Sequence, residues 1–190
     1  AILEGSFGDP IPENVAVEIA KKLDAFTDPD AQRWVASVIK EGAFGDPIPE
    51  NVAEKIAEQL EVFKDIDAQQ SIAWAIKEGK FGDPIKEKVA EKIAKNLKVF
   101  TVPRAQRMIA ADIMNGKFGD LISDTVAIEI AEKLEVFTDS GAQGRVGMAI
   151  LEGKFGKPIS EKVAKKIVEK LKVFTDSRIQ FWVALDLKDY

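Results

Sequence analysis

The side chains that most often run enzymatic or metal chemistry are missing here: the sequence has no histidine and no cysteine. Imidazole bases, thiolate nucleophiles, disulfides and the softer metal ligands are excluded, and with them every Ser-His or Cys-His device. Carboxylates remain. Glu41, Glu78 and Glu152 recur at one place in the chain's period, with Asn115 at the corresponding place of another unit. A carboxylate row could serve general acid–base chemistry or a hard cation. Adjacent helical repeats stand about 10 Å apart, however, too far for neighbouring members to share one ion. Asp112 and Asp186 lie two periods apart and do not form a dyad. Phosphate-cradling glycines must lead from a strand into a helix, and here they sit in Phe-Gly-Asp-Pro turns. The reading is no reaction, no metal and no cofactor.

What positions any functional residue in this chain is an internal repeat. Phe7, Phe44, Phe81, Phe118 and Phe155 are 37 residues apart, and Phe26, Phe63, Phe100, Phe137 and Phe174 keep the same step. So do Gly5, Gly42, Gly79, Gly116 and Gly153, and the glycine after each of the first phenylalanines. Five units follow, 4–40, 41–77, 78–114, 115–151 and 152–188, with 1–3 as the remnant of a preceding unit. No shift in composition marks a second domain, so 1–190 reads as one helical-repeat domain.

Each unit carries two helical patterns. In the first unit one helix is predicted from about Pro12 to Phe26, with Val15, Ile19, Leu23 and Phe26 as its apolar stripe. Pro12 and Pro49 suit a first turn, and Ser123 and Ser160 at the same place suit an N-cap. Thr27-Asp28-Pro29 ends this helix and starts a second, which runs to Glu41 before Gly42. One such hairpin cannot bury its own stripe, but five stacked hairpins can. The fold class is therefore all-α, an α-solenoid of five two-helix repeats with a right-handed superhelix expected. The repeat-fixed phenylalanines are assigned to the core.

The units differ mainly on the second helix. Its second residue is always glutamine (Gln32, Gln69, Gln106, Gln143, Gln180), a series suited to satisfying backbone groups of neighbouring loops. Its third position reads Arg33, Gln70, Arg107, Gly144, Phe181, and its fourth Trp34, Ser71, Met108, Arg145, Trp182. The seventh reads Ser37, Trp74, Ala111, Met148, Leu185, and the eighth Val38, Ala75, Asp112, Ala149, Asp186. At about 100° per residue these positions fall on one stripe, opposite the framework stripe. All three tryptophans lie on it. A merely solvated face would be rich in Lys and Glu, whereas Trp, Met and Arg are interface residues. The expectation is a protein-binding face on the concave side, anchored by Trp34, Trp74, Met108, Arg145, Met148 and Trp182. Arg33, Arg107, Asp112 and Asp186 would give polar specificity, and Ser37, Gln70, Ser71, Phe181 and Leu185 would complete the surface. The competing reading packs these side chains between neighbouring helices, above all Val38 and Ala75 at the framework edge.

Charge and termini complete the picture. A net charge of −5 and a pI of about 5.0 disfavour a phosphate-backbone binder, so nucleic acid is not an expected partner. No apolar run reaches the ~20 residues of a membrane span and no signal-like segment is present, so a cytoplasmic location without membrane contact is expected. Residues 1–5 match 149–153, and neither end carries a markedly polar capping unit. Uncapped solenoid ends invite self-association, which makes a homo-oligomer a second expectation.

The plan resembles HEAT-like α-solenoids, and in particular engineered repeat binders of the αRep kind. The spacing of Arg33, Trp34, Ser37 and Val38 on the second helix is similar to the randomised positions of such scaffolds. The resemblance spans the chain as architecture and implies a binding function with no catalysis. The Glu-Gly-x-Phe-Gly-Asp-Pro-Ile signature and the longer unit depart from that family's pattern, as do Val102, Leu121, Gly144 and Gly147 in the framework.

Overall fold

The computed structural model describes residues 10–188 of the chain. Gly5, Phe7 and Gly8, the remnant at residues 1–3, and Tyr190 lie outside the described residues. Among the described residues are ten α-helices, two per unit. They are α1 (Glu13–Ala20), α2 (Pro29–Glu41), α3 (Glu50–Glu58), α4 (Ile66–Lys77) and α5 (Glu87–Lys95). They continue as α6 (Pro103–Met114), α7 (Asp124–Glu132), α8 (Ser140–Leu151), α9 (Glu161–Glu169) and α10 (Ser177–Asp186). Odd helices pack on the next odd helix and even helices on the next even one. The result is an α-solenoid of two helical layers, in which the apolar stripe of each hairpin is closed by its neighbours.

The second helices begin and end as their residues dictate. The Asp28 carboxylate accepts the backbone N–H of Asp30 at 2.9 Å and of Ala31 at 3.2 Å, satisfying donors that the first turn leaves free. Asp65 caps α4 in the same way, and Asp139 and Asp176 cap α8 and α10 through one amide each, that of Ala142 and that of Arg178. Val102 has no side-chain oxygen to offer, and α6 starts without a side-chain cap. After α2, Gly42 takes φ +88°, a left-handed conformation in which a side chain would be strained.

The first helices differ from the expectation. The stretch from Pro12 to Phe26 is not one helix: α1 stops at Ala20, and a one-turn 3-10 helix follows at Leu23–Ala25. All five units share this break. Lys22, at φ −116° and ψ 23°, leaves the helical basin there. The tighter turn brings Leu23 and Phe26 into register three residues apart, so that Leu23 is buried. It also leaves the Phe26 carbonyl 3.2 Å from Gln32 Nε2, which donates to it. Pro12 and Pro49 stand at the N-cap, not inside the first turn. Ser123 and Ser160 are N-caps by position only: neither side chain caps, and both hydroxyls are buried without a partner among the described residues.

The core follows the repeat. Phe44, Phe81, Phe118 and Phe155 are buried, as are Phe63, Phe100, Phe137 and Phe174, whereas Phe26 is only half-buried. Successive units are tied by contacts about 32 residues apart in sequence. The N–H of Ile48 donates to the Lys80 carbonyl at 2.8 Å, Ile85 to Lys117 at 2.8 Å and Ile122 to Lys154 at 2.8 Å. Beside this ladder Lys80 pairs with Asp46 and Lys117 with Asp83. The glutamines form a second ladder: Gln106 Oε1 accepts from the Thr138 and Asp139 amides at 3.0 Å each, and its Nε2 donates to Val136 O at 2.7 Å. These bonds hold the even helices at a fixed register and so fix the spacing of whatever they display.

Candidate functional site

The even layer buries one side of each helix and shows the other. On α2 the buried residues are Gln32, Val35, Ala36, Val38 and Ile39; on α4 they are Ala68, Gln69, Ile72, Ala73, Ala75 and Ile76. That leaves the third, fourth and seventh positions of each helix as the outward stripe. Trp34 is 60% exposed, Trp182 53% and Phe181 59%, so two of the three indoles are more than half exposed. Arg33, Arg107, Met148, Leu185 and Asp186 are exposed as well. Ser37, Gln70, Ser71, Trp74, Met108 and Arg145 are half-buried, with their tips at the surface. Ser37 Oγ donates to Glu41 at 2.9 Å.

Asp112 is a correction. The helical wheel places it on the displayed stripe, but it is 2% exposed and cannot touch a partner directly. The eighth position of an even helix faces the adjoining even helix, so Val38, Ala75 and Ala149 are buried there too. Burial pushes the Asp112 carboxyl up to about 7, against the pull of Lys117 and Lys77. Its Oδ2 has no hydrogen-bond partner among the described residues. Asp186, at the same position of α10, is exposed.

The structure gathers some of the expected residues and leaves others apart. Gln70, Ser71, Trp74 and Met108 line one depression of about 210 Å³ over the exposed side of α4. Lys40 from α2 and Arg104 from α6 wall it on either side, and Asp67 completes it. Lys77 Nζ lies 4.5 Å from the centre of the Trp74 ring, a cation–π contact that steadies the indole. Arg33 and Trp34, and Arg145 and Met148, stand outside this depression. At α10, Phe181 and Trp182 meet edge to face with ring centres 5.3 Å apart, next to exposed Leu185. Lys40 and Arg104 do not stand out in the sequence, because Lys40 sits at a place where lysine recurs (Lys77, Lys188) and Arg104 precedes the variable positions. A readable signal does exist: the five arginines, Arg33, Arg104, Arg107, Arg145 and Arg178, all lie on even helices.

The carboxylate row does not assemble. Glu41 bonds Ser37, Glu78 lies 3.5 Å from Lys77, and among the described residues no group of three acidic side chains could hold a metal ion. No described helix is long and apolar enough to cross a membrane. Comparison with protein-family models, with curated proteins and with solved structures finds no match to this chain.

Proposed function

We propose that this α-solenoid is a non-enzymatic binding protein that takes a protein partner on the variable, concave face of its even helices. The observation that carries this reading is the segregation of side chains between the layers. Every tryptophan, methionine and arginine stands on an even helix, while the odd helices carry their charge as Lys, Glu and Asp. Large apolar side chains left in water at Trp34, Met148, Phe181 and Trp182 oppose solubility and contribute nothing to the core. Their place on helices locked in register by the glutamine ladder limits the entropy lost on binding. The likeness to engineered HEAT-like scaffolds of the αRep kind belongs to the same reading, since such scaffolds vary these helix positions. The test is capture of partners from a complex protein mixture by the purified chain and by a variant with Trp34, Trp74 and Trp182 replaced by Ala. Partners retained equally by both would remove the face from the function.

A second reading has one observation in its favour. The Phe181–Trp182 pair and Leu185 form an apolar cluster on α10, and Val168 on α9 is exposed too. Self-association through this unit would cover them. Sedimentation across a concentration series separates the readings, because a strict monomer at high concentration leaves only the binding of a different protein.

A further inference from the structure

The depression over α4 carries information about the chemistry of its occupant. The arginines of the even layer are mostly engaged. Arg33 pairs with Asp30 and lies 3.5 Å from Asp65, Arg107 lies 3.6 Å from Asp139, and Arg178 lies 3.0 Å from Asp176. Arg104 and Lys40 differ: among the described residues neither has a carboxylate within ion-pair distance. These two cations line the same space from α2 and α6, with Trp74 on the intervening α4. Lys77 lies over the indole but is itself paired with Glu78, and Asp67 is the single carboxylate in the lining.

The size of this space narrows the class of ligand. About 210 Å³ is less than a drug-sized molecule requires and suits one or two side chains. The chain as a whole is acidic, at −5, but at physiological ionic strength fields fade within about 8 Å, so the local cations decide what approaches. A phosphate backbone would need a longer run of unpaired cations than two. We propose that this depression receives an acidic segment of a protein partner. Acidic side chains of the segment pair separately with Arg104 on one flank and Lys40 on the other, and an adjoining apolar side chain packs on Trp74 and Met108. The proposal rests on the protein-binding reading and specifies the partner's chemistry at one place.

The test uses the full chain with Trp34→Phe and Trp182→Phe, so that Trp74 is the sole tryptophan fluorophore. Three synthetic peptides of equal Phe and Leu content, bearing Glu, Gln or Lys at their polar positions, and one single-stranded DNA oligonucleotide are titrated against it. The Glu peptide is expected to shift Trp74 emission and to bind roughly tenfold more tightly than the Gln peptide, with an affinity that falls as salt rises. Arg104→Gln and Lys40→Gln should each weaken it roughly three- to tenfold, with unchanged circular dichroism and melting temperature. Equal binding of the Gln or Lys peptide, preference for the oligonucleotide, or no binding of any probe at millimolar concentration overturns the proposal. If partners captured in the mixture experiment depend on the tryptophans but prove neutral or basic, the face binds protein and only the acidic assignment falls.

Discussion

Gly147 on α8 and Ile179 on α10 form a complementary pair: a Cβ placed on Gly147 would lie 2.3 Å from Ile179 Cγ2. In every other pair of successive units both corresponding positions are Ala, as at Ala36 and Ala68 or Ala110 and Ala142. The last unit brings a larger side chain to the interface, and its neighbour lacks the methyl that would obstruct it. Gly147→Ala should therefore destabilise the fold by about 1–3 kcal/mol, although Ala is the better helix former by about 1 kcal/mol. Combined with Ile179→Ala, the same change should become neutral or stabilising. A double-mutant cycle in urea checks this, and additive effects would show that the two residues do not share the space.

The glutamine ladder makes a second, independent prediction. Replacing Gln106 by Ala leaves the Asp139 amide without its partner, while the Thr138 amide and the Val136 carbonyl keep their bond to each other at 3.0 Å. The loss should be about 1–3 kcal/mol, the cost of one buried group left unsatisfied. Among the described residues the Gln180 side chain bonds only Leu171 O, within its own unit, so Gln180→Ala should cost about 1 kcal/mol. Hydrogen exchange gives the local signature: the Asp139 amide should lose protection in the Gln106 variant before the rest of the chain. Uniform loss of protection would mean that the ladder has no local role.

The repeat makes the architecture legible before any coordinates, because a 37-residue step in Phe and Gly is a statement about stacking. Helix ends at Asp28 and Gly42 are equally readable, since cap chemistry is local. The break after Ala20 is not. Ile19, Leu23 and Phe26 keep helical spacing across a segment that turns 3-10, and spacing cannot distinguish the two. Asp112 is misplaced by the wheel for a related reason. A wheel describes one helix, and the neighbour that buries the eighth position belongs to another unit. The pairing of Gly147 with Ile179 depends on the same step between units, and so does the gathering of Lys40 and Arg104 around Trp74.

Stability and binding should separate cleanly between two kinds of aromatic residue. Phe100 is buried in the core, and truncation to Ala should cost about 3–5 kcal/mol. Trp34 is 60% exposed, so Trp34→Ala should change stability by no more than about 0.5 kcal/mol. Phe26, half-buried in the first unit, should fall between them. Thermal melts of the three variants decide the ranking. A Trp34 variant as unstable as the Phe100 variant would assign the indole to packing.

Asp112 supplies a pH dependence whose sign can be worked out. The carboxyl titrates near 3.8 when unfolded and near 7 when folded, because burial penalises its charged form. Charged groups reach it from α4 (Lys77 and Glu78) and from the turns (Asp83 and Lys117), and they do not cancel the cost of burial. Between those two pH values the folded chain holds a proton that the unfolded chain has released. Unfolding then releases a proton, so this residue's contribution makes stability fall as pH rises from about 4 to 7 and level off above. The difference amounts to about 4 kcal/mol at most, because each tenfold change in proton affinity is worth about 1.4 kcal/mol. Asp112→Ala, which restores the residue found at Ala75 and Ala149, should stabilise the protein by about 2 kcal/mol or more at pH 8 and far less at pH 4. Urea unfolding at both pH values checks this. Equal effects at the two would mean that the carboxylate keeps its charge in the fold and draws its compensation from Lys117 or water.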